Sequence, residues 1–142
     1  MEGENIIITG ANRGIGKELV KVFAEAGANI WACMRKENED FISWKSELEQ
    51  IHNVWIKTVC FDITDSESFD IGIKSILDEN IKIDVLINNA GISTVKLLNK
   101  SKLEEVKALF NVNYFSMLNM IQKISKKMVR QKSGVIINMG SI

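Results

Sequence analysis

Three glycines, Gly10, Gly14 and Gly16, directly follow the apolar run Asn5–Thr9 and open a segment of helical periodicity. Glycines at such a junction let the chain turn tightly between a strand and a helix, and they let a ligand approach the backbone closely. The unpaired N–H groups and the dipole of a helix N-terminus attract an anion. The segment Thr9–Gly16 therefore predicts a diphosphate-binding turn, the alternative being a tight turn without a ligand. Its spacing is G-x-x-x-G-x-G rather than the G-x-G-x-x-G of the standard dinucleotide fingerprint. The residues of this turn predicted to bind a dinucleotide are Gly10, Asn12, Arg13, Gly14, Ile15 and Gly16.

The end of the second apolar run, Asn29–Met34, bears on the choice of dinucleotide. Arg35 and Lys36 follow it, and Glu37 is the first acidic residue beyond. Sites for NAD usually place Asp or Glu at this point to bind the ribose hydroxyls. A guanidinium can instead pair with a ribose 2′-phosphate, and Arg13 could help from the glycine turn. We therefore expect NADP(H) to be favoured over NAD(H), the alternative being that Arg35 is a solvated loop charge.

The elements that must position these residues alternate along the chain. Apolar β-rich runs predict strands at 5–9, 29–34, 54–61, 84–88 and 135–139, and helical periodicity predicts helices at 15–26, 39–50, 64–79 and 101–131. We expect capping boxes at Thr64–Glu67 and Ser101–Glu104, and a break in the last helix near 111–113. Unbroken apolar strands alternating with helices predict the α/β class: a doubly wound, Rossmann-like parallel sheet, stopping after its fifth strand. Ligands of such sheets bind at the carboxyl ends of the strands.

Composition narrows the classes of function. The chain has 142 residues, with 18 Lys plus Arg against 18 Asp plus Glu, which argues against electrostatic capture of nucleic acid or an anionic membrane. The early apolar stretch Ile6–Ile8 is far too short to span a bilayer, and we expect a cytoplasmic protein without membrane contact. His52 has no partner at a metal-ligand spacing, so no metal site is expected.

Further motifs occur in a characteristic order along the chain. Asp62 follows the third predicted strand, Asn88-Asn89-Ala90-Gly91 ends the fourth, Asn113 lies in the long helix, and Ser141 follows the fifth strand. Together with Thr9–Gly16, this order and spacing resemble the short-chain dehydrogenases/reductases. Within that family the likeness is to NADPH-dependent members similar to 3-oxoacyl-acyl-carrier-protein reductases, and it covers essentially the whole chain.

The resemblance implies a reaction and a set of site residues. The reaction is hydride transfer between nicotinamide C4 and a small-molecule carbonyl or alcohol substrate, in a protein that is a homo-oligomer at full length. Asn113 would hold a helix carbonyl and a water for proton relay, and Ser141 would hydrogen-bond the reacting substrate oxygen. Asp62 and Ile63 would contact the adenine. The residues implied to line the cofactor from ribose to nicotinamide are Asn89, Ala90 and Gly91.

One part of the family pattern has no counterpart in these 142 residues. The family's general acid/base is the Tyr of a Tyr-x-x-x-Lys pair that comes after the serine. The single tyrosine, Tyr114, precedes Ser141 and is followed by Leu118 at the lysine position. We therefore expect residues 1–142 to form a dinucleotide-binding domain that is incomplete at its C-terminus and inactive by itself. The alternative is a non-catalytic dinucleotide-binding or interaction module.

An apolar stripe in the long helix has two open interpretations. Met117, Ile121, Ile124 and Met128 recur at helical spacing, and Phe115 and Leu118 widen the stripe. Packing in the core would account for it, as would contacts between subunits.

Overall fold

A computed structural model describes residues 1–140 of the chain. Five parallel strands form one sheet in the order β3-β2-β1-β4-β5. The strands are β1 Asn5–Thr9, β2 Asn29–Met34, β3 Ile56–Cys60, β4 Val85–Asn88 and β5 Val135–Asn138. The helices are α1 Gly14–Glu25, α2 Glu39–His52, α3 Ser66–Asp78, α4 Leu103–Phe110 and α5 Ser116–Gln131. A 3₁₀ turn, Leu98–Lys100, precedes α4, and a π-helical turn, Asn111–Phe115, joins α4 to α5.

The sheet is covered on both faces, and the alternation of side chains along each strand assigns them to two cores. On β1, Ile6 and Ile8 point towards α1 and α2, whereas Ile7 points towards α3 and α5. Trp31 of β2 and Leu86 of β4 join Ile7 in the second core. Central strands that are buried on both faces must be apolar throughout, which is why these runs show no polar alternation. The predicted doubly wound parallel sheet is thereby confirmed.

The strand order places a ligand-binding crevice between β1 and β4. From β1 the chain winds one way through β2 and β3 and then crosses to the other side of β1 to form β4 and β5. At such a switch point the loops after two neighbouring strands diverge to opposite faces and leave a gap at the carboxyl edge. The glycine turn after β1 and the Asn89–Gly91 segment after β4 border this gap.

Both predicted capping boxes begin one residue too early. Thr64 does not cap α3, because its hydroxyl donates to Asp62; the side chain of Asp65 caps the helix instead. Lys102 rather than Ser101 stands at the N-cap position of α4. In each case the hydroxyl at the predicted cap position donates instead to the loop that precedes the helix: Thr64 to Asp62, and Ser101 to the carbonyl of Leu97.

The apolar stripe of the long helix divides between two environments. The residues of α5 that face the core are Ser116, Met120, Ile124 and Met128. Of the predicted stripe, Ile124 and Met128 therefore belong to the core, whereas Phe115 and Leu118 are exposed. In residues 1–140 no helix combines the length and the apolar character that crossing a membrane would demand.

Candidate functional site

A cavity of about 600 Å³ opens at the carboxyl edge of the sheet, at the gap between β1 and β4. It brings together residues from five separate segments of the chain. All twelve residues predicted to contact a dinucleotide line it: Gly10, Asn12, Arg13, Gly14, Ile15, Gly16, Arg35, Asp62, Ile63, Asn89, Ala90 and Gly91. Within residues 1–140 no group of three or more His, Cys, Asp or Glu side chains could hold a metal ion.

Two glycines of the turn cannot be replaced without cost: Gly14 because of its backbone conformation, and Gly16 because the neighbouring backbone lies too close for a side chain. Gly14 has φ +53°, a backbone conformation that residues with a Cβ adopt only with strain. At Gly16 a Cβ would lie 2.1 Å from the carbonyl oxygen of Gly10 and 2.6 Å from Nδ2 of Asn89. Gly16 thus lets the first turn of α1 pack directly against the backbone that leaves β1.

The N-terminus of α1 is open towards the cavity. Arg13 is the N-cap residue, and its side chain makes no capping hydrogen bond. The first turn, which begins at Gly14, contains no acidic residue. Its N–H groups and the positive end of the helix dipole are therefore left for an external anion. A glycine cradle of this kind at a helix N-terminus fits a diphosphate.

The hydroxyl of Thr9 joins the two strands that flank the crevice. Thr9 Oγ1 accepts hydrogen bonds from the backbone N–H groups of Asn89 and Ala90, each at 3.0 Å. The Asn89 side chain bonds to the same segment in the opposite direction: its Nδ2 donates to the carbonyl oxygens of Thr9 at 3.0 Å and Gly10 at 3.3 Å. Thr9 and Asn89 therefore hold the two walls of the cavity in fixed register. Sequence reasoning gave Thr9 no separate role, because its partners are 80 residues away along the chain.

Arg35 and Asp62 form the far end of the cavity. Asp62 accepts hydrogen bonds from the Thr64 hydroxyl at 2.7 Å and the Thr64 N–H at 2.8 Å. These bonds lower the pKa of Asp62, and the positive charge of Arg35 lowers it further. Arg35 is exposed, and no acid in residues 1–140 lies within ion-pair distance of it. Its guanidinium is therefore available to an anionic group of a ligand.

Cys33, at the end of β2, is one of the residues that line the cavity. It is 2% exposed and hydrogen-bonds only weakly, to the carbonyl of Trp31 at 3.9 Å. Burial raises the pKa of Cys33 far above the physiological range. The thiol stays protonated, which argues against a thiolate nucleophile at this position.

Asn113 lies in the π-helical turn and clamps the segment that follows Gly91. Its Oδ1 accepts from the N–H of Ile92 at 2.9 Å, and its Nδ2 donates to the carbonyl of Ile92 at 2.8 Å. The side chain therefore holds the backbone N–H and C=O of Ile92. The role that the resemblance implies, holding a helix carbonyl and a water for proton relay, stays a prediction. Ile92 and Val112 line the cavity, so Asn113 acts on its wall from just outside. Ser141, the other predicted catalytic residue, lies outside the described residues.

Comparison with known proteins places this geometry in a family. A family model described as short chain dehydrogenase matches residues 4–142. The chain belongs to the short-chain dehydrogenase family. It is 31% identical over 147 residues to the 3-oxoacyl-acyl-carrier-protein reductase of Vibrio cholerae, covering 100% of this chain and 56% of that protein. The corresponding reductase of Thermotoga maritima is 34% identical over 143 residues, with 100% and 57% covered. This short-chain dehydrogenase thus spans little more than half the length of these curated relatives.

Solved structures of other proteins share the fold of the chain. L-sorbose reductase from Gluconobacter frateurii superimposes with a TM-score of 0.90 at 23% identity, covering 99% of this chain and 53% of that one. An alcohol dehydrogenase from Comamonas testosteroni gives a TM-score of 0.86 at 24% identity, covering 100% and 56%. The predicted family and its Rossmann-like fold are confirmed.

Proposed function

We propose that this short-chain dehydrogenase binds NADP(H) in the cavity and carries the cofactor-binding part of a carbonyl reductase or alcohol dehydrogenase. The observation that carries the proposal is the convergence of an open helix N-terminus, an unpaired arginine and an ionised carboxylate around one cavity. Each matches a different part of a dinucleotide: the diphosphate, the ribose 2′-phosphate and the adenosine.

The proposal assigns the parts of the cofactor to named residues. The diphosphate lies against the first turn of α1, beside Gly14 and Gly16. Arg35 pairs with the 2′-phosphate, assisted by Arg13, and Asp62 and Ile63 contact the adenine. The residues assigned to the nicotinamide half are Asn89, Ala90 and Gly91. Residues 1–142 then constitute the dinucleotide-binding part of the protein.

NADPH, when bound, would supply the hydride, and residues of this chain would hold and orient the cofactor. Asn113 holds the backbone of Ile92 by two hydrogen bonds, one from its N–H and one to its C=O, and so supports the cavity wall next to Gly91. We assign to Ser141 a hydrogen bond to the substrate oxygen. The substrate class is a carbonyl compound or the corresponding alcohol, in keeping with the 3-oxoacyl reductases that the chain resembles. Because the family's Tyr/Lys pair does not occur in these 142 residues, we expect them to bind cofactor without turnover.

Titration with the two cofactors tests the proposal. Trp31 lies two residues before Cys33, which lines the cavity, so bound NADPH should quench tryptophan fluorescence. We expect saturable quenching with NADPH and weaker binding of NADH. Absence of quenching and of any thermal shift with both cofactors would overturn the proposal. A longer protein that includes an in-frame Tyr-x-x-x-Lys segment should reduce 3-oxoacyl substrates if the enzymatic hypothesis is right. A native stop codon directly after Ile142 would instead favour a non-catalytic binding module.

We further propose that the exposed side of α4 and α5 mediates self-association. Leu103, Phe110 and Phe115 are each more than half exposed. Tyr114 and Leu118 are also exposed, and the ring of Tyr114 packs edge-on against that of Phe115. Phe110 and Phe115 border one groove. Large exposed apolar residues that cluster together commonly mark an interface between proteins. Sedimentation of wild type and of Phe110→Lys tests this: a wild type that stays monomeric at high concentration would refute it.

A further inference from the structure

The carboxylate of Glu37 is hydrogen-bonded to Thr58 of β3, and Glu37 is not among the residues that line the cavity. Glu37 Oε1 accepts a hydrogen bond from Thr58 Oγ1 at 2.5 Å, and both residues are half-buried. Thr58 pairs with Ala32 in the sheet, two positions before the strand ends at Met34 and Cys60. Glu37 follows the end of β2, so its side chain turns back along the sheet from the edge where the cavity opens.

This contact bears on whether the Glu37 carboxylate joins Arg35 and Asp62 at the cavity. Arg35 lines the cavity, whereas Glu37 does not. The two residues are nevertheless separated by one residue, so their Cα atoms lie within roughly 7.6 Å of each other. A carboxylate at that distance, if free, can pair with the Arg35 guanidinium or accept hydrogen bonds from ribose hydroxyls. Either contact would favour a ribose without a 2′-phosphate.

We propose that Thr58 is a positioning residue for cofactor selectivity: by binding Glu37 it keeps a second carboxylate, besides that of Asp62, away from Arg35 and the ribose. The inference rests on the proposed binding of NADP(H) in this cavity. It assigns discrimination between the two dinucleotides to a hydroxyl on β3 as well as to the charge of Arg35. Thr58 acts through Glu37 and has no assigned contact with the cofactor.

The test removes the hydroxyl of Thr58 and, in separate variants, the negative charge of Glu37. Thr58→Val keeps the shape and the β-branched side chain suited to a strand, and Thr58→Ser keeps the hydroxyl as a matched control. Glu37→Gln removes the charge. Dissociation constants for NADPH and NADH are measured by fluorescence titration for wild type, both Thr58 variants, Glu37→Gln and the Thr58→Val/Glu37→Gln pair. Urea unfolding of each protein shows that it is folded.

The expected result is a change in selectivity that depends on Glu37. Competition from an exposed ion pair predicts that Thr58→Val lowers the NADPH-to-NADH affinity ratio by about two- to fivefold. Thr58→Ser should keep the wild-type ratio, and Glu37→Gln should restore it in the Thr58→Val background. Loss of stability alone would lower both affinities together and leave the ratio unchanged.

Two outcomes would overturn the inference while leaving the proposed function intact. One is a folded Thr58→Val protein with the wild-type NADPH-to-NADH ratio. The other is a shift of equal size in the Glu37→Gln background, which would show that the hydroxyl acts by another route. A wild-type chain that binds neither nucleotide would instead overturn the proposed function, and this inference with it.

Discussion

Replacing Thr9 by valine tests whether its hydroxyl holds the two walls of the cavity together. Thr9 is 2% exposed, and Oγ1 is the acceptor for the N–H groups of Asn89 and Ala90. Valine has almost the same shape and keeps the strand packing, but it offers no acceptor. The substitution therefore leaves two backbone donors without their partner, and it also removes the long hydrogen bond that the hydroxyl donates to the carbonyl of Ile87 at 3.5 Å.

The magnitude follows from the number and burial of these donors. A buried donor left unsatisfied costs about 1–3 kcal/mol. Asn89 and Ala90 are half-buried at the cavity edge, where water can replace part of the loss. We therefore expect Thr9→Val to lower the free energy of unfolding by about 2–4 kcal/mol. For a chain of 142 residues this corresponds to a fall in Tm of about 7–13 °C.

Urea unfolding followed by circular dichroism measures the effect, with Thr9→Ser as the control. Serine keeps the acceptor and loses one methyl group, which costs about 1 kcal/mol. We expect the order wild type, Thr9→Ser, Thr9→Val in decreasing midpoint, with an unchanged denaturant slope. NADPH affinity should fall with Thr9→Val, because Asn89 and Ala90 are then no longer held beside Gly10.

A Thr9→Val protein as stable as Thr9→Ser would refute the reasoning. That result would mean that water or a rearranged backbone satisfies both N–H groups without cost. A changed denaturant slope would show instead that the variant alters the compactness of one state, and the comparison would then not isolate the hydrogen bonds.

Four further substitutions probe the remaining walls of the cavity. Gly16→Ala should cost about 2–4 kcal/mol of unfolding free energy, because its Cβ meets a backbone oxygen at 2.1 Å. Gly14→Ala, strained but in open space, should cost about 1–2 kcal/mol; equal losses in the two urea midpoints would contradict the clash. Arg35→Ala should weaken NADPH binding about tenfold and NADH binding far less, and equal losses in fluorescence titration would remove Arg35 as the phosphate partner. Asp62 has a lowered pKa in the folded state, so its ionised form stabilises the fold above the ordinary value of 3.8, and this contribution disappears as the pH falls through the folded pKa. Asp62→Asn should therefore be less stable than wild type at pH 7, and the difference should shrink as the pH falls below 3.8; a difference that stays unchanged down to acid pH would show that ionisation plays no part.

Much of the fold was predictable because the relevant information is local. The predicted and observed bounds coincide for β1 and β2, whose apolar runs end at a glycine turn and at Arg35. The break expected near residues 111–113 corresponds to the π-helical turn Asn111–Phe115. The α5 face was harder to predict, since several apolar residues at helical spacing compete for the core. Where α5 packs against β4, Met120 is fully buried, whereas Met117 is only partly buried.

The sequence by itself determined the parallel sheet, the order of its elements and the identity of the residues gathered at its carboxyl edge. Local periodicity defines the elements, and parallel strands necessarily bring the residues after them to one edge. Only the tertiary structure decided which side chains meet across that edge. The contacts of Thr9 with Asn89, Glu37 with Thr58 and Asn113 with Ile92 join residues 21 to 80 positions apart. No local pattern encodes such contacts, because they depend on strand register and on where each loop returns to the sheet.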